Sequence, residues 1–354
     1  MKKKLYSLIT IFIMAMLVLT ACGKAKPSEN NSSNEKAAEN VAVENKKEDK
    51  KENSETKEKQ IINLGSLKGP TSLGLVKLFD ESDNNASENS YNYKIYNSPD
   101  EVVSAIVKGE LDMAAVPANL AAVLYQKTEG KIKVLNINTL GVLYIASKQD
   151  IKSINDLKGK TIITSGKGAT PEFALRYILK ESGIDPDKDL TIEYKAEHTE
   201  VVAALAADEN SIVMLPEPFL TVAKTKVQRL KTNLSLTELW DNLNNNSKLV
   251  TGVMIARADF IKDHEDAVEE FMEEYEESIE YTNENVSDAA KLSEKYDIVK
   301  CPIAEKAIPS CNICFISGDE MKTVLSGYLQ TLYDQEPKAV GGKLPDENFY
   351  FKES

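Results

Sequence analysis

Two short stretches join glycine, proline and hydroxyl residues in a pattern suited to gripping an acceptor-rich group. Gly69-Pro70-Thr71-Ser72 follows an apolar run that begins at Ile61, and Gly168-Ala169-Thr170-Pro171 follows the run Thr161-Ile162-Ile163-Thr164. Proline in a first helical turn loses no intrahelical hydrogen bond. The N–H groups of such a turn lack intrahelical partners, and Thr or Ser hydroxyls add donors and acceptors beside them. The chemistry this supports is binding of an anion or another acceptor-rich group at a helix N-terminus. Each stretch alone also reads as an ordinary strand-to-helix connection. If the two halves of the chain face each other, both stretches point into one cleft.

Residues for covalent or metal chemistry are scarce. The chain has two histidines, His198 and His264, and three arginines, Arg176, Arg229 and Arg257. Both histidines stand at helix starts, where a capping or surface role suffices. Cys311-Asn312-Ile313-Cys314 has a metal-like spacing, but a zinc site wants four ligands and neither His is near in sequence. No metal and no cofactor are expected, and no catalytic residue is assigned. A disulfide among Cys301, Cys311 and Cys314 and a set of buried thiols are both open readings. Trp240 reads as core packing.

The elements that would position the two stretches alternate strand and helix, so the fold class is α/β with layered sheets. Ile61, Ile62 and Leu64 suit a buried strand. Leu73, Val76 and Phe79 recur at helical spacing and predict one helix from Pro70 to Phe79. Tyr91–Tyr96 alternates as a strand, and Ser98-Pro99-Asp100-Glu101 reads as a capping box. Leu111–Pro117 is a buried strand and Ala118–Gln126 a helix. Ile132–Ile137 and Leu140–Ala146 are strands. A second unit starts near Ser153, with the strand 161–164, a helix from Thr170, the strand Leu190–Tyr194, a helix Val201–Ala207, and the strand Ile212–Leu215 before Pro216-Glu217-Pro218. Leu249–Ala256 could return the chain to the first half. A long helix with a solvated acidic face spans Asp263–Asn283, and a late helix spans Asp319–Tyr333.

Net charge is −13 over 354 residues. Lys2, Lys3 and Lys4 are basic and the 24–60 segment balances Lys against Asp and Glu, so the acid excess lies in 61–354. A domain so acidic is a poor partner for nucleic acid or an anionic membrane surface. Lys2–Lys4 followed by apolar Leu5–Leu19 reads as an export signal, too short to span convincingly. Residues 23–60 are polar and unable to bury a core, and read as a disordered tether.

Leu19-Thr20-Ala21-Cys22 resembles a bacterial lipobox, which implies cleavage before Cys22 and lipid (palmitate) on it. With the tether and two α/β halves, this resembles the solute-binding lipoproteins of ABC importers, in the nitrate/sulfonate/taurine group that includes thiamine-pyrimidine-precursor binders. The matching phrases include Gly109-Glu110-Leu111-Asp112-Met113-Ala114, Val116-Pro117-Ala118-Asn119, Asn155-Asp156-Leu157-Lys158-Gly159-Lys160 and Leu215-Pro216-Glu217-Pro218, together with Gly69–Ser72 and Thr251-Gly252. The resemblance implies a type II periplasmic-binding-protein fold, two α/β lobes joined by a two-crossover hinge. Lobe 1 would comprise 61–140 and 250–354, and lobe 2, with the crossovers, 141–249. The implied ligand-binding set is Gly69, Pro70, Thr71, Ser72, Ala118, Asn119, Thr139, Gly168, Ala169, Thr170, Glu217 and Thr251. The implied partners are a small-molecule solute (a sulfonate, a nitrate-like anion or a thiamine-precursor-like heterocycle), an ABC permease, and the membrane through the lipid anchor. The protein would be a monomer on the extracytoplasmic face. An enzyme resembling a pyrimidine-precursor synthase and a surface-anchored interaction module that never closes are the alternatives.

Overall fold

A computed structural model describes residues 59–352 apart from residue 244. Cys22 and the polar stretch up to residue 58 lie outside the described residues. Among the described residues, eleven strands form two sheets. The first contains β1 (Ile61–Leu67), β2 (Ser90–Tyr96), β3 (Met113–Pro117), β4 (Ile132–Leu140), β10 (Val250–Arg257) and β11 (Ile313–Ile316), ordered β11-β4-β10-β3-β1-β2. The second contains β5 (Leu143–Ser147), β6 (Thr161–Ser165), β7 (Thr191–Lys195), β8 (Ile212–Pro216) and β9 (Lys231–Ser235), ordered β7-β6-β8-β5-β9.

The two sheets share one plan. In each, the first strand of a βαβ series lies between two parallel neighbours: β1 between β2 and β3, and β6 between β7 and β8. Beside these, each sheet accepts one antiparallel strand contributed by a crossover. β10 runs against β3 and β4, and β5 runs against β8 and β9. The chain therefore passes between sheets at 141–142 and again before Val250. The strand expected to begin at Leu140 starts instead at Leu143, and β4 continues to Leu140, held by its ladder with β10.

The helices are α1 (Pro70–Leu73), α2 (Val76–Asp83), α3 (Pro99–Val107), α4 (Ala118–Lys127), α5 (Thr170–Glu181), α6 (His198–Ala207), α7 (Phe219–Lys226), α8 (Leu236–Asp241), α9 (Ala258–Asp263), α10 (Glu265–Glu284), α11 (Val286–Lys295), α12 (Cys301–Ala307) and α13 (Gly318–Gln335). The single helix expected from Pro70 is broken at Gly74–Leu75. The break is filled by α10: Ser278 Oγ donates to Gly74 O (2.7 Å) and accepts from Leu78 N (3.1 Å), while Thr282 Oγ1 donates to Leu73 O (3.1 Å). A Cβ on Gly74 would stand 2.9 Å from Ile279 Cγ1, so only glycine lets α10 come this close. Leu73, Val76 and Phe79 are nonetheless fully buried, as the apolar spacing predicts. Ile61 is not: it lies on the exposed side of β1, whereas Ile62 and Leu64 are buried.

Ser98 does not cap α3 through its side chain; Glu101 alone accepts from the chain ahead of the helix, at Asn97 N (3.3 Å). Trp240 is fully buried, tilted against Tyr177 and Tyr328. Tyr177 belongs to α5 and Tyr328 to α13, so this aromatic row ties the second sheet's helices to the C-terminal helix. Cys301, Cys311 and Cys314 are all free thiols.

Candidate functional site

The shared plan brings the ends of equivalent strands to one place. A cavity of about 110 Å³ lies where the carboxyl ends of β1, β3, β6 and β8 meet the first residues of β5 and β10. In open α/β sheets, ligands bind outside the carboxyl ends of strands. Leu67, Lys68, Pro70, Thr71, Pro117 and Thr251 come from the first sheet's side. Leu143, Ser165, Ala169, Thr170, His198 and Pro216 come from the second's.

Of the residues expected to bind ligand, Pro70, Thr71, Ala169, Thr170 and Thr251 line this cavity. Gly69 lies just outside the lining, at the start of α1, within reach of the Phe219 ring. Ser72 is fully buried and turned inward, donating to Leu67 O (2.6 Å) with Ser66 Oγ 2.7 Å away. Ala118 and Asn119 are fully buried at the start of α4. Asn119 works as a strut, donating to Gly168 O and Ala339 O (both 3.2 Å) and accepting from Thr170 Oγ1 (3.3 Å). Thr139 is fully buried and donates to Asn138 Oδ1 (3.0 Å). Glu217 is buried at the start of the α7 region, where its carboxylate accepts from Thr221 N (3.0 Å). Burial raises the Glu217 pKa above the ordinary carboxylate value.

The first-turn N–H groups expected to stand open are taken only in part: no backbone acceptor stands against Thr71 N or Thr170 N. Pro70 and Pro171 have none. Ser72 N bonds to Gly69 O (3.2 Å), and both Glu172 N and Phe173 N turn to Ala169 O. The helix starts around the cavity also hold carboxylates of their own. Glu172 accepts from Gly168 N (2.6 Å), Glu200 from Ala196 N (2.8 Å), and Glu101 from Asn97 N. The hydroxyls are committed too. Thr71 Oγ1 donates to Leu67 O (3.2 Å), and Thr170 Oγ1, besides its bond to Asn119, accepts from Tyr328 OH (3.2 Å). Thr251 Oγ1 differs: it is buried and has no partner.

The sequence reading placed His198 at a helix start, and α6 does begin there, with Glu197 as N-cap, three residues ahead of the expected Val201; it did not place His198 in the cavity wall. The imidazole rests against the Phe219 ring, 4.8 Å between centroids, and its Nδ1 shares a 2.5 Å hydrogen bond with Ser165 Oγ. Burial pushes its pKa down to about 4, so the ring is neutral near pH 7. A base so weak, beside a serine, is poorly suited to activate a nucleophile at neutral pH. The available signal was positional: Ala196–His198 follows β7 as Gly166–Gly168 follows β6.

Among the described residues, no three His, Cys, Asp or Glu side chains gather to hold a metal ion. No helix among them is long and apolar enough to cross a membrane.

Comparison with known proteins bears on this geometry. A solved structure from Parabacteroides distasonis, described as an ABC transporter, superposes with a TM-score of 0.70 at 25% identity, over 83% of this chain and 100% of that one. The alkanesulfonate-binding protein SsuA of Xanthomonas axonopodis pv. citri, bound to MOPS, gives 0.64 at 15% identity, over 82% and 96%. The periplasmic nitrate-binding protein NrtA of Synechocystis PCC 6803 gives 0.56 at 15% identity, over 75% of each chain. The two-sheet α/β fold is thus that of ABC-importer solute-binding proteins. The curated relative YtlA of Bacillus subtilis (strain 168) is 25% identical over 133 residues, which span 36% of this chain and 39% of the relative's length. The family model NMT1/THI5 like matches residues 91–289, more than half of the sequence and most of both sheets. The chain belongs to the NMT1/THI5-like family.

Proposed function

We propose that this protein is the extracytoplasmic solute-binding component of an ABC importer. It captures a small solute between its two sheets and presents it to a membrane permease. The observation that carries this reading is a cavity walled by equivalent strand ends of both sheets, with Thr71 and Thr251 opposite Ser165, Thr170 and His198. A solute touching both walls favours the closed arrangement over any open one, because it gains contacts only there. The lobes are taken as 61–140 with 250–354, and 141–249, and the crossovers between them act as the hinge. The protein acts as a monomer, is not an enzyme, and is held at the membrane by lipid on Cys22.

A thermal-shift screen of the full-length protein against amino acids, nucleobases, vitamins, sugars, sulfonates and nitrate tests the binding role. At least one solute should raise the melting temperature in proportion to its excess over the dissociation constant, without being converted. A flat response across the panel, or turnover of the stabilising solute, contradicts it. Anchoring is tested separately. Cys22→Ser should move the protein from the membrane fraction to the medium, and persistence in the membrane fraction would refute lipidation there.

A further inference from the structure

A buried polar network joins the two walls of the cavity from behind. Asn119 stands at the start of α4, after β3 of the first sheet, and Thr170 at the start of α5, after β6 of the second. Both are fully buried, as is Tyr328 on α13. Thr170 Oγ1 donates to Asn119 Oδ1 (3.3 Å), and Tyr328 OH donates to Thr170 Oγ1 (3.2 Å). Asn119 Nδ2 donates to Gly168 O and to Ala339 O, both at 3.2 Å. The order of donors is fixed by chemistry. The Thr170 hydroxyl has one proton, which goes to Asn119, so Tyr328 supplies its own. A flipped Asn119 amide would set its oxygen against two carbonyl oxygens, so one orientation alone satisfies the set.

Neither Asn119 nor Tyr328 lines the cavity, whereas Ala169, Thr170 and Pro171 do. The network ties that part of the second wall to α4 and to α13, which packs on β4 and β10 of the first sheet. Trp240 of α8 backs the same junction, its ring 5.6 Å from that of Tyr328 between centroids. Another bond between the two sides, Tyr144 OH to Ser310 O (3.3 Å), is exposed, so water can replace it. The bonds of Asn119, Thr170 and Tyr328 are shut off from water, and parting the walls separates Asn119 and Tyr328 from Gly168 and Thr170. Taking each of the bonds Asn119–Gly168, Thr170–Asn119 and Tyr328–Thr170 at about threefold, the low end of a net hydrogen bond, the set favours the joined walls by about thirtyfold.

We propose that the Asn119–Thr170–Tyr328 network is a latch between the walls, and that Asn119 and Tyr328 are positioning residues: they hold the walls together before any solute arrives and do not touch it themselves. This rests on the solute-binding reading, whose two walls the latch joins. It adds to that reading a closed arrangement that the chain favours through its own contacts. Solute enters through the minor open population, and its binding energy has less of the closure to drive.

The test is hydrogen–deuterium exchange of the full-length protein with no solute added, comparing wild type with Asn119→Ala and Tyr328→Phe. The decisive segments are 67–73 and 196–200, which contribute to the cavity wall and lie outside the latch. Asn119→Ala removes two of the bonds between the walls, and exchange in both segments should rise about tenfold. Tyr328→Phe removes one and keeps a ring against Trp240, so the rise should be about threefold. α10, which takes no part in the latch, should keep its wild-type exchange in both variants. A rise confined to 118–120 and 168–172 would show local loosening alone and overturn the latch; so would unchanged exchange. Should Asn119→Ala raise exchange in α10 as much as in the wall, that variant is unfolding globally and Tyr328→Phe decides. An equal rise everywhere in Tyr328→Phe, or none in 67–73 and 196–200, overturns the proposal. No solute is present, so failure of the latch leaves the binding role to the solute screen described above.

Discussion

His198 shows how one half-buried side chain links the cleft to pH. Its folded-state pKa is held at about 4 by burial, against about 6.5 when exposed. Below pH 6.5 the unfolded chain takes up a proton that the folded chain refuses. Stability is therefore lost as pH falls from 6.5 towards 4, and is unaffected by this group above 6.5. The loss should reach at most about 3 kcal/mol. Glu217 and Glu274 act in the opposite sense, since burial raises their pKa values and favours the protonated folded form. The contribution of His198 is thus the difference between wild type and His198→Phe in denaturant melts at pH 7.5 and 4.5. Wild type should lose more stability than the variant on acidification, and equal losses would contradict the account. His198 was not legible in the sequence because its partners, Ser165 and Phe219, reach it only through the fold. Thr251 was legible as a candidate, but its lack of a partner was not.

At the scale of elements, the strand–helix rhythm was readable because buried strands and amphipathic helices leave different spacings in the chain. The break between α1 and α2 was not. Leu73, Val76 and Phe79 keep helical spacing across it, and the cause lies some two hundred residues downstream on α10. Ser278 accepts from Leu78 N and donates to Gly74 O in a fully buried position. Ser278→Ala leaves both backbone groups unpaired in the core, and should destabilise the fold by about 2–3 kcal/mol. A change below about 0.5 kcal/mol in urea melts would show that the bridge does not hold the break. A similar point holds for the helix starts around the cleft. Proline, threonine and serine after a strand are visible in sequence; the inward turn of Ser72 and Thr170 is a tertiary choice. Thr71 and Thr170 of the motif line the cavity, with their hydroxyls bonded within the fold.

For the molecule as a whole, two features set what binding can do. Each sheet takes in one antiparallel strand from a crossover, so the sheets are linked at 141–142 and before Val250 and face one another over the cavity. The C-terminal helix α13 reaches both sides, with Tyr328 OH donating to Thr170 Oγ1 and Thr331 Oγ1 to Ser247 Oγ (3.2 Å). Tyr144 OH also donates to Ser310 O (3.3 Å). The two-sheet plan was foreshadowed by the echo between 65–72 and 165–171, which are equivalent turns after β1 and β6. The clasp made by α13 was not, because a late amphipathic helix carries no sign of which surfaces it will join.

The central claim is that one solute engages both walls at once. Hydrogen–deuterium exchange of the full-length protein, with and without a solute that stabilises it, tests this most directly. The account predicts simultaneous protection of 67–73 and 250–252 on one side and of 165–171 and 196–200 on the other. Protection confined to one side, or appearing only away from these four segments, would contradict it.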